Sequence, residues 1–161
     1  MRPIRNSLWF DGNAHEAATF YCSVFPDAAI TDVQRYTEAG PGEPGTVVTV
    51  AWRIGSIGFV GINGGPMYTF TPAISFVAEC EDQAEVDRLW SALIAGGGSP
   101  GQCGWLKDRF GLSWQIVPRQ LGEMMSDPDR ERAGWAMAAL LRMSKIEVDD
   151  LRRAFEGEPV G

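Results

Sequence analysis

A single histidine, His15, and three cysteines stand in 161 residues. A two-histidine metal centre cannot be built from one imidazole, and His15 falls early in an expected helix, facing solvent. Zinc-hydrolase and serine-hydrolase chemistry therefore lose most of their footing. Carboxylate-only sites, or sites assembled between chains, stay open. Cys22, Cys80 and Cys103 are odd in number, widely spaced and free of any Cys-x-x-Cys pair, so reduced thiols are expected, with Cys22 and Cys80 as packing residues. No apolar run reaches the roughly 18 to 20 residues of a spanning helix, and the opening residues Met1 to Phe10 lack the apolar segment of a secretory signal. The expectation is a cytoplasmic protein. Positive charge is scarce as well, with 14 Lys and Arg against 21 Asp and Glu and a formal net charge of −7. No basic patch offsets that balance, which argues against nucleic-acid and membrane partners.

What is present reads as one globular chain of strands and helices. Arg5 to Phe10 reads as a strand turning at Asp11-Gly12. Asn13 and Glu16 have the spacing of a reciprocal helix cap, and Ala17, Phe20, Tyr21, Val24 and Phe25 recur at helical intervals until Pro26-Asp27. Ala28 to Tyr36 and Thr46 to Ile54 read as strands around a mobile loop at Glu38 to Gly45. Gly55-Ser56 is a tight hairpin connection, and Ile57 to Ile62 returns to the breaker Asn63-Gly64-Gly65-Pro66.

The pattern then restarts. Ala73 to Cys80 is a strand, Asp82 and Glu85 repeat the cap, and Val86, Leu89, Trp90, Leu93 and Ile94 repeat the stripe before Gly96-Gly97-Gly98. A slide of 69 residues superposes Asn13 on Asp82, Glu16 on Glu85, Tyr21 on Trp90 and Phe25 on Ile94. This is an internal repeat. Strands at Gly104 to Lys107 and Leu112 to Val117, joined by a turn at Asp108 to Gly111, complete the second copy. After Pro118 the pattern is helical. Ser126 or Asp127 is expected to cap a helix with Pro128 at its first position and an apolar face of Ala133, Ala136, Met137, Leu140 and Leu141. Val148, Leu151 and Phe155 suggest a last short helix.

Two glycine triplets, Gly40, Gly42, Gly45 and Gly96, Gly98, Gly101, have the spacing of a dinucleotide fingerprint. One lies between two strands and the other follows a helix, so neither opens a helix onto a pyrophosphate. The chemically informative stretch is Gln102 to Gln115. If Trp105 and Trp114 flank one hollow, they give a flat apolar wall with indole donors, and Gln102 or Gln115 orients a polar group. The alternative is that both indoles fill the core while Lys107-Asp108-Arg109 is a solvated turn. Lys107 and Asp108 could equally form an ion pair or a polar gate, or a surface pair worth under about 1 kcal/mol.

Leu8-Trp9-Phe10-Asp11-Gly12-Asn13-Ala14, Ile62-Asn63-Gly64-Gly65-Pro66 and the run Cys103 to Pro118 resemble the PhnB-like family labelled demethylubiquinone 3-methyltransferase, within the vicinal oxygen chelate superfamily. The resemblance covers nearly the whole chain. It implies an α+β fold of two βαβββ modules, about 1–68 and 72–118, as a curved mixed sheet around a ligand cavity, followed here by C-terminal helices over about 119–157. It also implies divalent-metal positions at Asn6, Ser75 and near Gln115, none of which is a strong ligand, and relatives carry a histidine where this chain has Met67.

The resulting expectation is a small-molecule binder without a tightly held metal or other cofactor, taking an aromatic or apolar molecule against Trp52, Asn63, Met67, Phe76, Cys103, Trp105 and Gln115. Two alternatives stay open. One is an enzyme such as an isomerase, lyase or methyl-transfer enzyme, with Cys103 or Asp108 as its reactive group. The other is a structural homodimer joined through the C-terminal helices.

Overall fold

Alternating burial along Asn6–Phe10, with Leu8 and Phe10 inward, makes the first strand, β1. Helix α1 (Ala14–Val24) follows, then β2 (Ala28–Arg35), β3 (Val47–Ile54) and β4 (Ile57–Asn63). The four strands form one open sheet in the order β1-β4-β3-β2, in which β1 runs parallel to β4 and the other pairs are antiparallel. The second unit repeats this with β5 (Ser75–Cys80), α2 (Gln83–Ile94), β6 (Ser99–Pro100), β7 (Trp105–Lys107) and β8 (Ser113–Pro118). Its order is β5-β8-β7-β6, with β5 parallel to β8. This computed structural model describes residues 4–159. The chain boundary between its two compact units falls after Phe70.

The expected α+β class and its two βαβββ modules are therefore observed, each module with its own four-stranded sheet. The repeat offset of 69 holds from Asn6 and Ser75 at the first strands to Ala14 and Gln83 at the helix starts. Strand β6 carried no sequence signal of its own, being two residues long and half proline at the sheet edge.

The caps differ from expectation in two places. Asp82 does cap α2, accepting the Glu85 amide at 2.9 Å, but Asn13 makes no side-chain cap for α1. That role falls to Asn63, whose Oδ1 accepts the Ala14 amide at 2.9 Å from 49 residues away. In the C-terminal region α3 (Arg119–Met125) starts directly after Pro118, and α4 (Arg130–Leu140) is capped by Asp129 rather than by Ser126 or Asp127. Asp127 instead accepts the Asp129 amide at 2.8 Å, a local turn that holds Pro128 outside the helix.

On α4 the buried residues are Ala133, Ala136, Ala139 and Leu140, while Met137 and Leu141 point outward against expectation. The stripe is shifted because α4 packs on α5 (Val148–Phe155) through its small residues. Met124, Leu140, Ile146 and Leu151 fill that core, and full burial of a residue such as Ile146 or Leu151 contributes about 1.5–3 kcal/mol. No helix among the described residues is long and apolar enough to cross a membrane.

The helices are tied to α2 by polar contacts. Gln83 donates to the Ile146 carbonyl at 3.1 Å and accepts the Val148 amide at 2.7 Å. Lys145 lies between Asp87 and Glu147. The hydrogen bond from Lys145 is the main cause that holds the Asp87 carboxyl below its ordinary range, and the same bond raises Lys145. A depressed carboxyl stabilises the fold above its unfolded-state titration and loses that contribution as pH falls through its lowered value. A raised ammonium contributes below its unfolded-state titration and loses that contribution as pH rises through its elevated value. The contact is thus intact from about pH 5 to pH 10. Asp87→Asn is expected to lower stability by about 0.5–1 kcal/mol at pH 7, since the pair is partly solvated, and by progressively less as pH falls through the lowered carboxyl titration. Urea unfolding of both proteins over a falling pH series checks this, and a difference that stays constant would contradict it.

Candidate functional site

Strand pairing decides which side chains share a face. In the second sheet Leu106 lies opposite Trp114, while Trp105 lies opposite Gln115 and Lys107 opposite Ser113. Because side chains alternate across a strand, Trp105 and Trp114 stand on opposite faces. They do not flank one hollow. Trp114 is buried with Leu106 and Ile116, and Phe76, its neighbour on β5, packs against its ring at 5.6 Å.

The opposite face is the more open one. Val77, Glu79 and Lys107 are exposed there, and Trp105, Gln115 and Val117 are half-buried. Gln115 donates from Nε2 to the Ser75 hydroxyl at 2.8 Å. At the β6 edge a pocket of about 330 Å³ is lined by Pro72, Ser99, Gly101, Trp105, Lys107 and Ser113. Ser113 is buried, and its hydroxyl has no hydrogen-bond partner among the described residues. The pocket therefore offers an aromatic wall and a cation, with a buried, unsatisfied hydroxyl beneath them. Ser113 could have been read from the sequence, because it lies two positions before Gln115 on the same strand.

Of the seven expected site residues, Trp105 and Gln115 share this face. Phe76 is on the other side of the same sheet, and Cys103 packs against the helical core around Met124 and Ile146. In the first unit Trp52 is 1% exposed, stacked on Phe59 at 5.2 Å and on Tyr21 at 5.9 Å, and its indole nitrogen has no hydrogen-bond partner among the described residues. Its burial follows from pairing with Phe59 on the α1 side of the sheet. Met67 is exposed in the segment after β4.

Asn63 is engaged at both ends, donating from Nδ2 to the Val47 carbonyl at 3.0 Å while its Oδ1 holds the start of α1. The breaker motif it opens is shaped around Trp9. A Cβ on Gly64 would come 2.0 Å from that indole, Gly65 has φ +87°, and Trp9 Nε1 donates to the Gly65 carbonyl at 2.8 Å.

The readings of Asp108 as a solvated turn residue or surface ion-pair partner are corrected. It is 2% exposed. Its Oδ1 accepts the Phe110 and Leu112 amides at 2.9 and 3.1 Å, and its Oδ2 accepts Trp114 Nε1 at 2.9 Å. The carboxylate organises the β7–β8 turn and fixes the indole beneath it. The thiols are poor nucleophiles where a shift is resolved. Burial, reinforced by Glu85, pushes Cys80 up to about 12, and burial also raises Cys22, which is half-buried rather than fully buried.

The resemblance implies divalent-cation positions at Asn6, Ser75 and near Gln115, and the side chains there do not fit such an ion. Asn6 donates its amide to the Gly58 carbonyl at 3.3 Å, and Ser75 and Gln115 are bonded to each other. These are neutral oxygen and nitrogen groups, with neither imidazole nor carboxylate. Among the described residues no group of three His, Cys, Asp or Glu side chains could hold a metal.

A family model described as 3-demethylubiquinone-9 3-methyltransferase matches residues 2–117. A solved protein from Bacillus cereus, described as a putative 3-demethylubiquinone-9 3-methyltransferase, PhnB protein, is 33% identical with a TM-score of 0.66, over 73% of this chain and 99% of that one. A protein from Pseudomonas aeruginosa is 21% identical with a TM-score of 0.60, over 73% of this chain and 98% of that one. The fosfomycin resistance protein FosX from Mesorhizobium loti is 12% identical with a TM-score of 0.54, over 83% and 98%. The last two likenesses are of fold alone. No curated protein matches the chain.

Proposed function

The chain belongs to the family described as 3-demethylubiquinone-9 3-methyltransferase, and from that premise we propose that the open face of its second sheet binds a small planar organic molecule without a tightly held metal. The observation that carries the reading is the pocket of about 330 Å³ in which Trp105 stands beside Lys107 and Ser113. That volume suits a one- or two-ring ligand. The indole supplies a flat apolar wall, and Lys107 favours an acidic substituent. Binding is favoured over catalysis because the two candidate reactive groups are committed elsewhere, Asp108 to three N–H donors and Cys103 to the helical core.

The test is a titration with 1-naphthoate and its neutral amide, followed by calorimetry. Trp105→Ala is expected to weaken both probes at least tenfold, about 1.4 kcal/mol. Lys107→Gln should weaken only the carboxylate. Wild-type affinity in Trp105→Ala would sink the proposal. Thermal-shift measurements with Zn, Ni and Mn salts should leave the midpoint unmoved, whereas a tight metal would raise it by mass action. The methyl transfer in the family's description is the competing reading. Stabilisation by a sulfonium methyl donor, but not by naphthoate, would favour it.

A further inference from the structure

The family match ends at residue 117, and α3, α4 and α5 all lie beyond it. These helices nevertheless grip the turn from which the pocket's aromatic wall rises. Ser144, between α4 and α5, donates from Oγ to the Gly101 carbonyl at 2.6 Å, and its own carbonyl accepts the Gly104 amide at 2.8 Å. The adjacent Met143 carbonyl accepts the Cys103 amide at 2.8 Å. Three hydrogen bonds from two consecutive residues thus hold residues 101–104.

The held turn is one that the chain would not adopt freely. Cys103 has φ +56°, the left-handed region that a side chain disfavours, and it persists where surrounding contacts over-determine it. Gly104 follows at φ +81°, where a Cβ would come within 2.8 Å of both the Ile116 carbonyl and Ile146 Cδ1. Ile146 itself is fully buried in the helical core, so the close approach of Gly104 is the seam between turn and helices. The strand that emerges is bonded back to the same turn, since the Gly101 amide donates to the Trp105 carbonyl at 2.7 Å and the Trp105 amide to Gln102 at 3.0 Å. Gly101 and Trp105 both line the pocket.

We infer that the C-terminal helices are a clamp that sets Trp105 for the ligand, with Ser144 as its positioning residue. The inference rests on the pocket reading for its ligand consequence only. It makes affinity depend on residues outside the family region. By linkage, a ligand on Trp105 tightens the clamp as much as the clamp tightens the ligand.

The experiment compares the full chain with Ser144→Ala and Ser144→Thr by hydrogen exchange and by 1-naphthoate titration. Exchange reports local opening residue by residue. Ser144→Ala is expected to speed exchange of the Cys103, Gly104 and Trp105 amides about tenfold and to weaken naphthoate about fivefold, because loss of the Oγ bond to Gly101 lets the turn open more often. Amides of α2 and β5, in the same unit, should be unchanged, which certifies that the variant is folded. Ser144→Thr keeps the hydroxyl and should restore both readings. Unchanged exchange in Ser144→Ala overturns the clamp, and so does faster exchange with unaltered affinity where Trp105→Ala abolishes binding. If Trp105→Ala leaves naphthoate binding intact, the pocket reading fails separately, and exchange alone decides the clamp.

Discussion

Replacing Asp108 by alanine is expected to destabilise the second unit by about 3–5 kcal/mol, a large share of the 5–15 kcal/mol that holds a typical domain. Three donors lose one acceptor at once: the Phe110 and Leu112 amides and the Trp114 indole. Leu112 and Trp114 are buried, so water cannot take the carboxylate's place without opening the turn. Asp108→Asn separates charge from geometry. Its carbonyl oxygen still serves the two amides, but its amide nitrogen meets the indole donor, and a loss of about 2 kcal/mol is expected. Lys107→Ala, one residue away and exposed, should change stability by less than about 0.5 kcal/mol. Urea unfolding followed by tryptophan fluorescence reads all three. A loss below about 1 kcal/mol in Asp108→Ala would mean that the carboxylate is not the turn's organiser.

The second large effect is at Asn63, where alanine is expected to remove about 2–3 kcal/mol. Two hydrogen bonds go together, the cap on Ala14 and the bond to Val47, and they link three elements of the first unit. Asn63→Asp keeps an acceptor at the positive end of α1 while losing the donor, so its cost should be nearer 1 kcal/mol. Asn13→Ala is the informative control. Asn13 has the sequence spacing of a cap but makes no side-chain cap bond, so its loss should stay within about 0.5 kcal/mol. Thermal unfolding of the three variants ranks them, and a larger loss at Asn13 than at Asn63 would reverse the assignment.

Those two residues also mark where sequence reading stops. The stripe of Ala17, Tyr21 and Val24 and its repeat at Val86, Leu89 and Leu93 are local signals, and each did form a buried helix face. The Asp82 cap was legible for the same reason, since donor and acceptor lie three residues apart. Asn63 reads as a breaker because its donor lies 49 residues away, whereas Asp108 reads as a turn residue because its nearby donors converge on it only when the β7–β8 turn is buried. Asn63 reaches back to the start of α1, and Asp108 takes an indole from the neighbouring strand.

The candidate site divides in the same way. Trp105 and Gln115 are candidates by their chemistry, and register places them together. Phe76 and Cys103 were equally reasonable by residue type and are turned toward Trp114 and the helical core. One step of register exchanges the faces of a strand, and register is fixed by partners distant in the chain.

The sequence by itself therefore determined the two βαβββ modules, their order and the helical tail, because hydrophobic period and turn chemistry act over a few residues. Only the tertiary structure decided which indole lies in the core and which on the pocket, where the buried carboxylate points, and that Ser144 grips the turn before Trp105. The first and last of these depend on pairing or contact between separate elements, and the carboxylate, though its donors lie two to six residues away, is fixed only once the β7–β8 turn closes.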